Sequence, residues 1–292
     1  MDQFVYYLFV SGTLALGLGI LGYAAPWAVA LARLALVRPA ATASAGGAGA
    51  PAVRFAPDVP GLQYGTLMTS VSFAIFAAWL AARTVAAGRA PVTNMYEFSV
   101  VFVLGIIGVY LVAYARYRSR ALGLVVLPVA MVMLLYAASV SSNIKPLVPA
   151  LQNNVLMVHI TVGVMAYSCF TVAFGAGVLY LVQERVQRPS LPSLETLDEM
   201  GFSAVAFGFP FMVLLLILGA YWANAAWGRY WGWDPKETAA LVTLLIYAAY
   251  LHTRALRNWR GRRGAALLIL GFVSVMITFF GNYFLTGLHA YR

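Results

Sequence analysis

The chain has 292 residues, is 62% hydrophobic and only 10% charged, and repeats apolar runs near the roughly 20 residues that cross a bilayer, which excludes a soluble globular protein. Its formal charge of +10 would suggest a nucleic-acid partner in a soluble chain, but the basic residues lie mostly between apolar runs and report membrane topology, so no nucleic-acid role is read from them. The single cysteine, Cys169, lies inside an apolar run and excludes a disulfide framework, a CxxC redox pair and a CxxCH attachment site.

The first apolar run, about 5–32, is followed by Arg33 and Arg38 and lacks a basic start or a clear signal-peptidase pattern, so it reads as a retained span. The stretch "PAATASAGGAGAPAVRFAPDVPG", 39–61, is rich in Ala, Gly and Pro and reads as a flexible loop. Apolar periods then predict helices at about 63–87, 97–115, 121–140, 155–182, 203–224, 236–254 and 265–286. The expected fold class is therefore an all-α integral membrane protein of about eight transmembrane helices, with an external tryptophan-rich loop between helices six and seven. The segment "LPSLETLDEM", 191–200, is expected to be a short polar connection with at most one helical turn.

With the N-terminus outside, the inner connections carry Arg33, Arg38, Arg54, Arg116, Arg118, Arg120, Arg185, Arg188, Arg254, Arg257, Arg260, Arg262 and Arg263, most of the 19 basic residues. The excess of inner positive charge favours this orientation over its reverse. It places the loop "WGRYWGWDPKET", 227–238, on the outer side.

Four of the seven tryptophans, Trp222, Trp227, Trp231 and Trp233, fall close together around this loop, with Tyr230 among them. One reading is an interfacial aromatic belt. The other is a stacking platform: Asp234, Pro235 and Glu237 have the spacing of a capped helix start, whose positive end would favour an anionic planar ligand near Arg229 or Lys236.

The chain has three histidines. His159 is expected about one turn into the fifth helix from its outer end, and His289 just after the eighth helix, so both belong at the outer face. His252 lies 15 residues beyond Glu237, roughly 22 Å deeper at 1.5 Å per residue. Neutral imidazoles ligate iron, and two on opposite faces of a porphyrin make a six-coordinate centre.

These residues carry a resemblance. "WGRYWGWDPKET" resembles the tryptophan-rich WWD motif of the haem-handling proteins of cytochrome c maturation, and the chain is similar to the CcsA (ResC) family of the System II pathway. "NMYEF" (94–98), "LVPALQNNVLMVH" (147–159), "IYAAYLHTR" (246–254) and "GLHAY" (287–291) resemble segments of that family in the same order. The likeness runs from about residue 64 to the end, which divides the chain into 1–62, the first helix and flexible loop, and 63–292, a haem-handling membrane domain. Val155 and Ala239 stand where the family usually has Trp.

The resemblance implies that His159 and His289 are axial ligands of haem iron beside the loop, and that His252 is a transient ligand for haem within the membrane. Trp227, Tyr230, Trp231, Trp233 and Asp234 would then bind haem b, which is both ligand and substrate. The implied activity is a cytochrome c haem lyase (synthase) component that attaches haem covalently to the CxxCH cysteines of apocytochrome c. No catalytic group is expected beyond those that position haem. The implied partners are a CcsB/ResB membrane protein, apocytochrome c and a thiol-reducing thioredoxin-like protein, and the implied location is the bacterial inner membrane with the loop on the periplasmic side. Asn94, Tyr96 and Glu97 are expected to pack beneath the outer site. The alternatives are a CcmC-like haem handler or an amphipathic-anion transporter without ligation activity, and an assembly factor whose loop is only an anchor.

Overall fold

A computed structural model describes residues 2–36, 60–144, 146, 152–257 and 259–284. They form eight helices in chain order: α1 (Asp2–Leu36), α2 (Pro60–Ala87), α3 (Met95–Tyr117), α4 (Gly123–Ser139), α5 (Asn154–Val186), α6 (Leu194–Trp227), α7 (Pro235–Arg257) and α8 (Arg262–Phe284). Seven are long and apolar enough to cross a membrane, and α4 is a shorter apolar helix of 17 residues. The protein is a multi-pass membrane protein, and among the described residues there is no strand. The loop expected at 39–61 lies outside the described residues.

The largest departure from the expected boundaries is at α6. The polar stretch 191–200 is not a connection, because α6 already begins at Leu194. Ser193 caps it by accepting the Thr196 N–H at 3.2 Å, and Glu195 in the first turn faces the positive end of the helix. Leu197 and Met200, three residues apart, are buried on one face and tie this polar turn to the core.

Consecutive helices pack as antiparallel hairpins, and small residues set how closely they approach. The Ser72 hydroxyl donates to the Gly12 carbonyl at 2.9 Å across α1 and α2. A Cβ on Gly22 would sit 2.7 Å from the Gly65 backbone nitrogen, so these two helices touch backbone to backbone. At the centre lies α5, with Ala166, Phe170, Ala173 and Ala176 fully buried. Phe170 stacks on Tyr247 of α7 with ring centroids 3.7 Å apart.

Ion pairs centred on Arg83 and on Arg254 close the bundle at opposite ends. Near the α2–α3 turn, Arg83 and Glu97 are 4% and 0% exposed and meet at 2.9 Å. The other Glu97 oxygen accepts from the Thr93 N–H at 3.1 Å and the Thr93 hydroxyl at 3.0 Å, while the Asn94 side chain caps α3 by accepting the Glu97 N–H at 2.8 Å. Arg83 also donates to the Ser142 carbonyl at 2.6 Å, joining the segment after α4, and lies 5.6 Å from the Tyr96 ring centroid. At the other end Arg254, expected only as a topological charge, is buried against Asp198 and stacks over Phe202 at 4.3 Å.

Removing one partner of such a buried pair leaves the other charged and unsolvated. Glu97→Ala is expected to cost about 3–5 kcal/mol, read as a large fall in melting temperature in detergent. The double variant Arg83→Leu/Glu97→Leu should be markedly more stable than Glu97→Ala alone.

Candidate functional site

The segment 228–234 between α6 and α7 is shaped by one carboxylate. α6 ends on Gly228 in the left-handed conformation, φ 73°, where its N–H donates to the Asn224 carbonyl at 2.9 Å. Across the loop, Glu237 accepts the Gly232 N–H at 2.9 Å and the Asp234 N–H at 3.1 Å. Asp234, buried, accepts the Lys236 N–H at 2.9 Å. Glu237 thus reaches back to the Asp234 N–H as a capping box requires, while Asp234 caps the helix through the Lys236 N–H one position earlier.

Trp233 lies between the two residues held by Glu237 and adopts φ 54°, unusual for a bulky residue. Its side chain is 68% exposed. At this helix start the Asp234 and Lys236 N–H groups are engaged by the Glu237 and Asp234 carboxylates, the capped start expected from the sequence. Of the two basic groups expected there, the Arg229 guanidinium folds back over Gly232, close enough that a Cβ at Gly232 would meet its Nε at 2.9 Å.

The aromatic residues divide into two sets. Trp222 is within α6, only 2% exposed, and packs edge-on against Trp227, the last residue of α6, at 4.8 Å. In the loop proper, Trp231 is half-buried and meets Trp233 edge-on at 5.7 Å, and Tyr230 is 59% exposed. The flat surfaces open to a ligand therefore belong to Tyr230 and Trp233, with Trp231 behind them.

His159 is half-buried near the start of α5, as its sequence position predicts. Its Nδ1 lies 2.9 Å from the Leu215 carbonyl oxygen on α6. A carbonyl only accepts, so Nδ1 carries the proton and, in the neutral ring, Nε2 carries the lone pair. Leu215 and Gly219, against which the ring lies, precede Trp227 by two to three helical turns, so His159 and the aromatic loop share one end of the bundle.

His252 is exposed on α7 and shares an exposed stripe with Val242, Leu245 and Leu256, while Arg254 faces the interior. His289 lies outside the described residues. Asn94, Tyr96 and Glu97 contribute to the buried node at the α2–α3 turn. Sequence reasoning missed Arg83, whose signal was an arginine inside an apolar run, and Gly219, which nothing distinguishes among 26 glycines.

The family profile described as Cytochrome C assembly protein matches residues 92–289. Among curated relatives, the cytochrome c biogenesis protein CcsA of Microcystis aeruginosa is 34% identical, the match covering 80% of this chain and 88% of that protein. The CcsA protein of Guillardia theta is 35% identical over 79% of this chain and 85% of its own length. That of Gloeobacter violaceus is 33% identical over 78% and 86%. Among solved structures, the cytochrome c haem lyase CcmF superimposes with a TM-score of 0.65 at 18% identity, covering 96% of this chain and 46% of that one. The chain thus spans less than half of CcmF, with which it shares the fold.

Glu237→Ala removes the acceptor of two backbone N–H groups and is expected to destabilise the loop and the α7 start by about 1–3 kcal/mol. Glu237→Gln keeps a neutral acceptor and should recover part of that loss. Chemical unfolding followed by tryptophan fluorescence compares the two.

Proposed function

The chain belongs to the cytochrome c assembly protein family as a CcsA protein, its role lies in cytochrome c biogenesis, and we propose that it holds haem b at the tryptophan-loop end for covalent attachment to apocytochrome c. In this reading the tryptophan-loop end faces the periplasm of a bacterial inner membrane. A CcsB/ResB chain is the membrane partner, and a thioredoxin-like protein keeps the apocytochrome cysteines reduced.

The observation that carries the reading is the His159 imidazole, oriented by the Leu215 carbonyl at the same end of the bundle as the exposed Tyr230 and Trp233. The donor set fits haem: a neutral imidazole with its lone pair on Nε2 is an iron ligand, and flat aromatic faces suit a porphyrin plane. His159 and His289 would be the ligands that hold the iron. Tyr230, Trp231 and Trp233 stack along the ring, Trp227 backs them, and Asp234 with Glu237 fixes the backbone from which they project.

In the attachment reaction each cysteine S–H adds across a haem vinyl group, forming a C–S bond while the hydrogen goes to the neighbouring carbon. Both reacting groups come from the substrates, so the chain needs no nucleophile or general base. Its work is to position and to hold the iron in its reduced state.

His252 marks an earlier station. An ionisable side chain on an otherwise apolar, membrane-facing stripe is costly unless it is covered, and we assign its cover to haem and the CcsB/ResB partner.

Absorption spectra of the protein purified with its partner test this reading. A low-spin bis-histidine haem spectrum is expected, altered or lost in His159→Ala and in His289→Ala and restored by added imidazole. A haem-free wild type from haem-replete cells would overturn it. Haem binding and translocation without transfer to apocytochrome would identify a transporter instead.

A further inference from the structure

The contact between α5 and α6 at His159 is built from two reciprocal insertions. The Leu215 side chain of α6 fills the space over Gly163 of α5, where a Cβ would meet Leu215 Cδ1 at 2.9 Å. One turn earlier on α5 and one turn later on α6, the His159 ring fills the space over Gly219. A Cβ there would stand 2.8 Å from His159 Cε1, 3.1 Å from Nδ1 and 3.8 Å from Nε2. Each glycine therefore admits a side chain from the opposite helix, and together they fix the register that brings Nδ1 within 2.9 Å of the Leu215 carbonyl.

That carbonyl lies four residues before Gly219, so the helical ladder directs the Gly219 N–H to the same oxygen. A carbonyl has two lone pairs, and the imidazole uses the second. The ring reaches it while lying over Gly219, where a Cβ would clash with it.

We propose that Gly219 is a positioning residue for His159: by leaving room for the ring, it lets the Leu215 carbonyl select the Nδ1-protonated tautomer and direct Nε2 away from α6 as the iron-binding nitrogen. The inference rests on the reading of His159 as a haem ligand. A backbone acceptor on the far nitrogen of a ligating histidine fixes its tautomer and raises its basicity. Any side chain at 219 displaces the ring and breaks both effects.

Two measurements on the full chain with its CcsB/ResB partner test this. In the first, Gly219→Ala is expected to lower haem occupancy about 10-fold or more or to shift the midpoint potential, with the low-spin spectrum recovered by added imidazole. Gly281→Ala, where a Cβ meets nothing within 4 Å among the described residues, serves as the control and should keep the wild-type spectrum. An unchanged occupancy and potential in Gly219→Ala overturns the proposal.

In the second, nitrogen-15 NMR of histidine-labelled, haem-free wild type reads the tautomer directly and does not depend on the variant folding. The signal lost in His159→Ala is expected to show a protonated Nδ1 and an unprotonated Nε2. The opposite tautomer overturns the proposal. A wild-type haem spectrum in His159→Ala would instead sink the ligand reading, an outcome separate from the NMR result.

Discussion

Hydrocarbon offers no water to a polar group, and this constraint organises the whole bundle. Among the described residues, the buried charged side chains Arg83, Glu97, Asp234 and Arg254 each meet a partner. Arg83 and Glu97 satisfy one another together with Thr93 and the Ser142 carbonyl, and Arg254 meets Asp198 at the opposite end. Between them, Thr243 and Ser274 share a buried hydroxyl contact at 2.7 Å across α7 and α8. Such satisfied nodes fix which helix ends lie side by side, and so fix the platform from which the tryptophan loop rises.

The loop obeys the same rule. Its free N–H groups at Gly232, Asp234 and Lys236 are satisfied by Glu237 and Asp234, and the consequence is a Trp233 backbone of unusual hand with the indole turned outward. The two carboxylates are thereby engaged within the loop, which presents outward the aromatic surface of Tyr230 and Trp233 together with the exposed Arg229. Beneath it, the one imidazole at this end in the described residues is oriented by a backbone carbonyl, which requires no second ionisable group near a planar ligand.

Much of this was legible in the sequence. Eight apolar periods predicted eight helices, and the Asp-Pro-x-Glu spacing predicted the capping box, because both rest on local rules of period and hydrogen-bond supply. The start of α6 was misread because "LETLDEM" is polar in composition. Its helicity comes from Ser193 as cap and from the tertiary burial of Leu197 and Met200, which no local window weighs. Trp222 lies close to the loop in sequence, but that proximity did not reveal that it faces the bundle interior. The role of Gly219 and of the Leu215 carbonyl was beyond reach, since it arises from an inter-helix register and a backbone atom that carry no residue-type signal.

In the proposed function, this end of the bundle presents haem b to apocytochrome c. Co-expressing the chain and a CcsB/ResB protein, the proposed partner, with an apocytochrome c in cells lacking their own maturation system, and staining denaturing gels for covalently bound haem, tests this directly. The account predicts a haem-stained cytochrome band with the wild-type pair and its loss in a Tyr230→Ala/Trp231→Ala/Trp233→Ala variant that still reaches the membrane in normal amount. A band of wild-type intensity from that variant would contradict it.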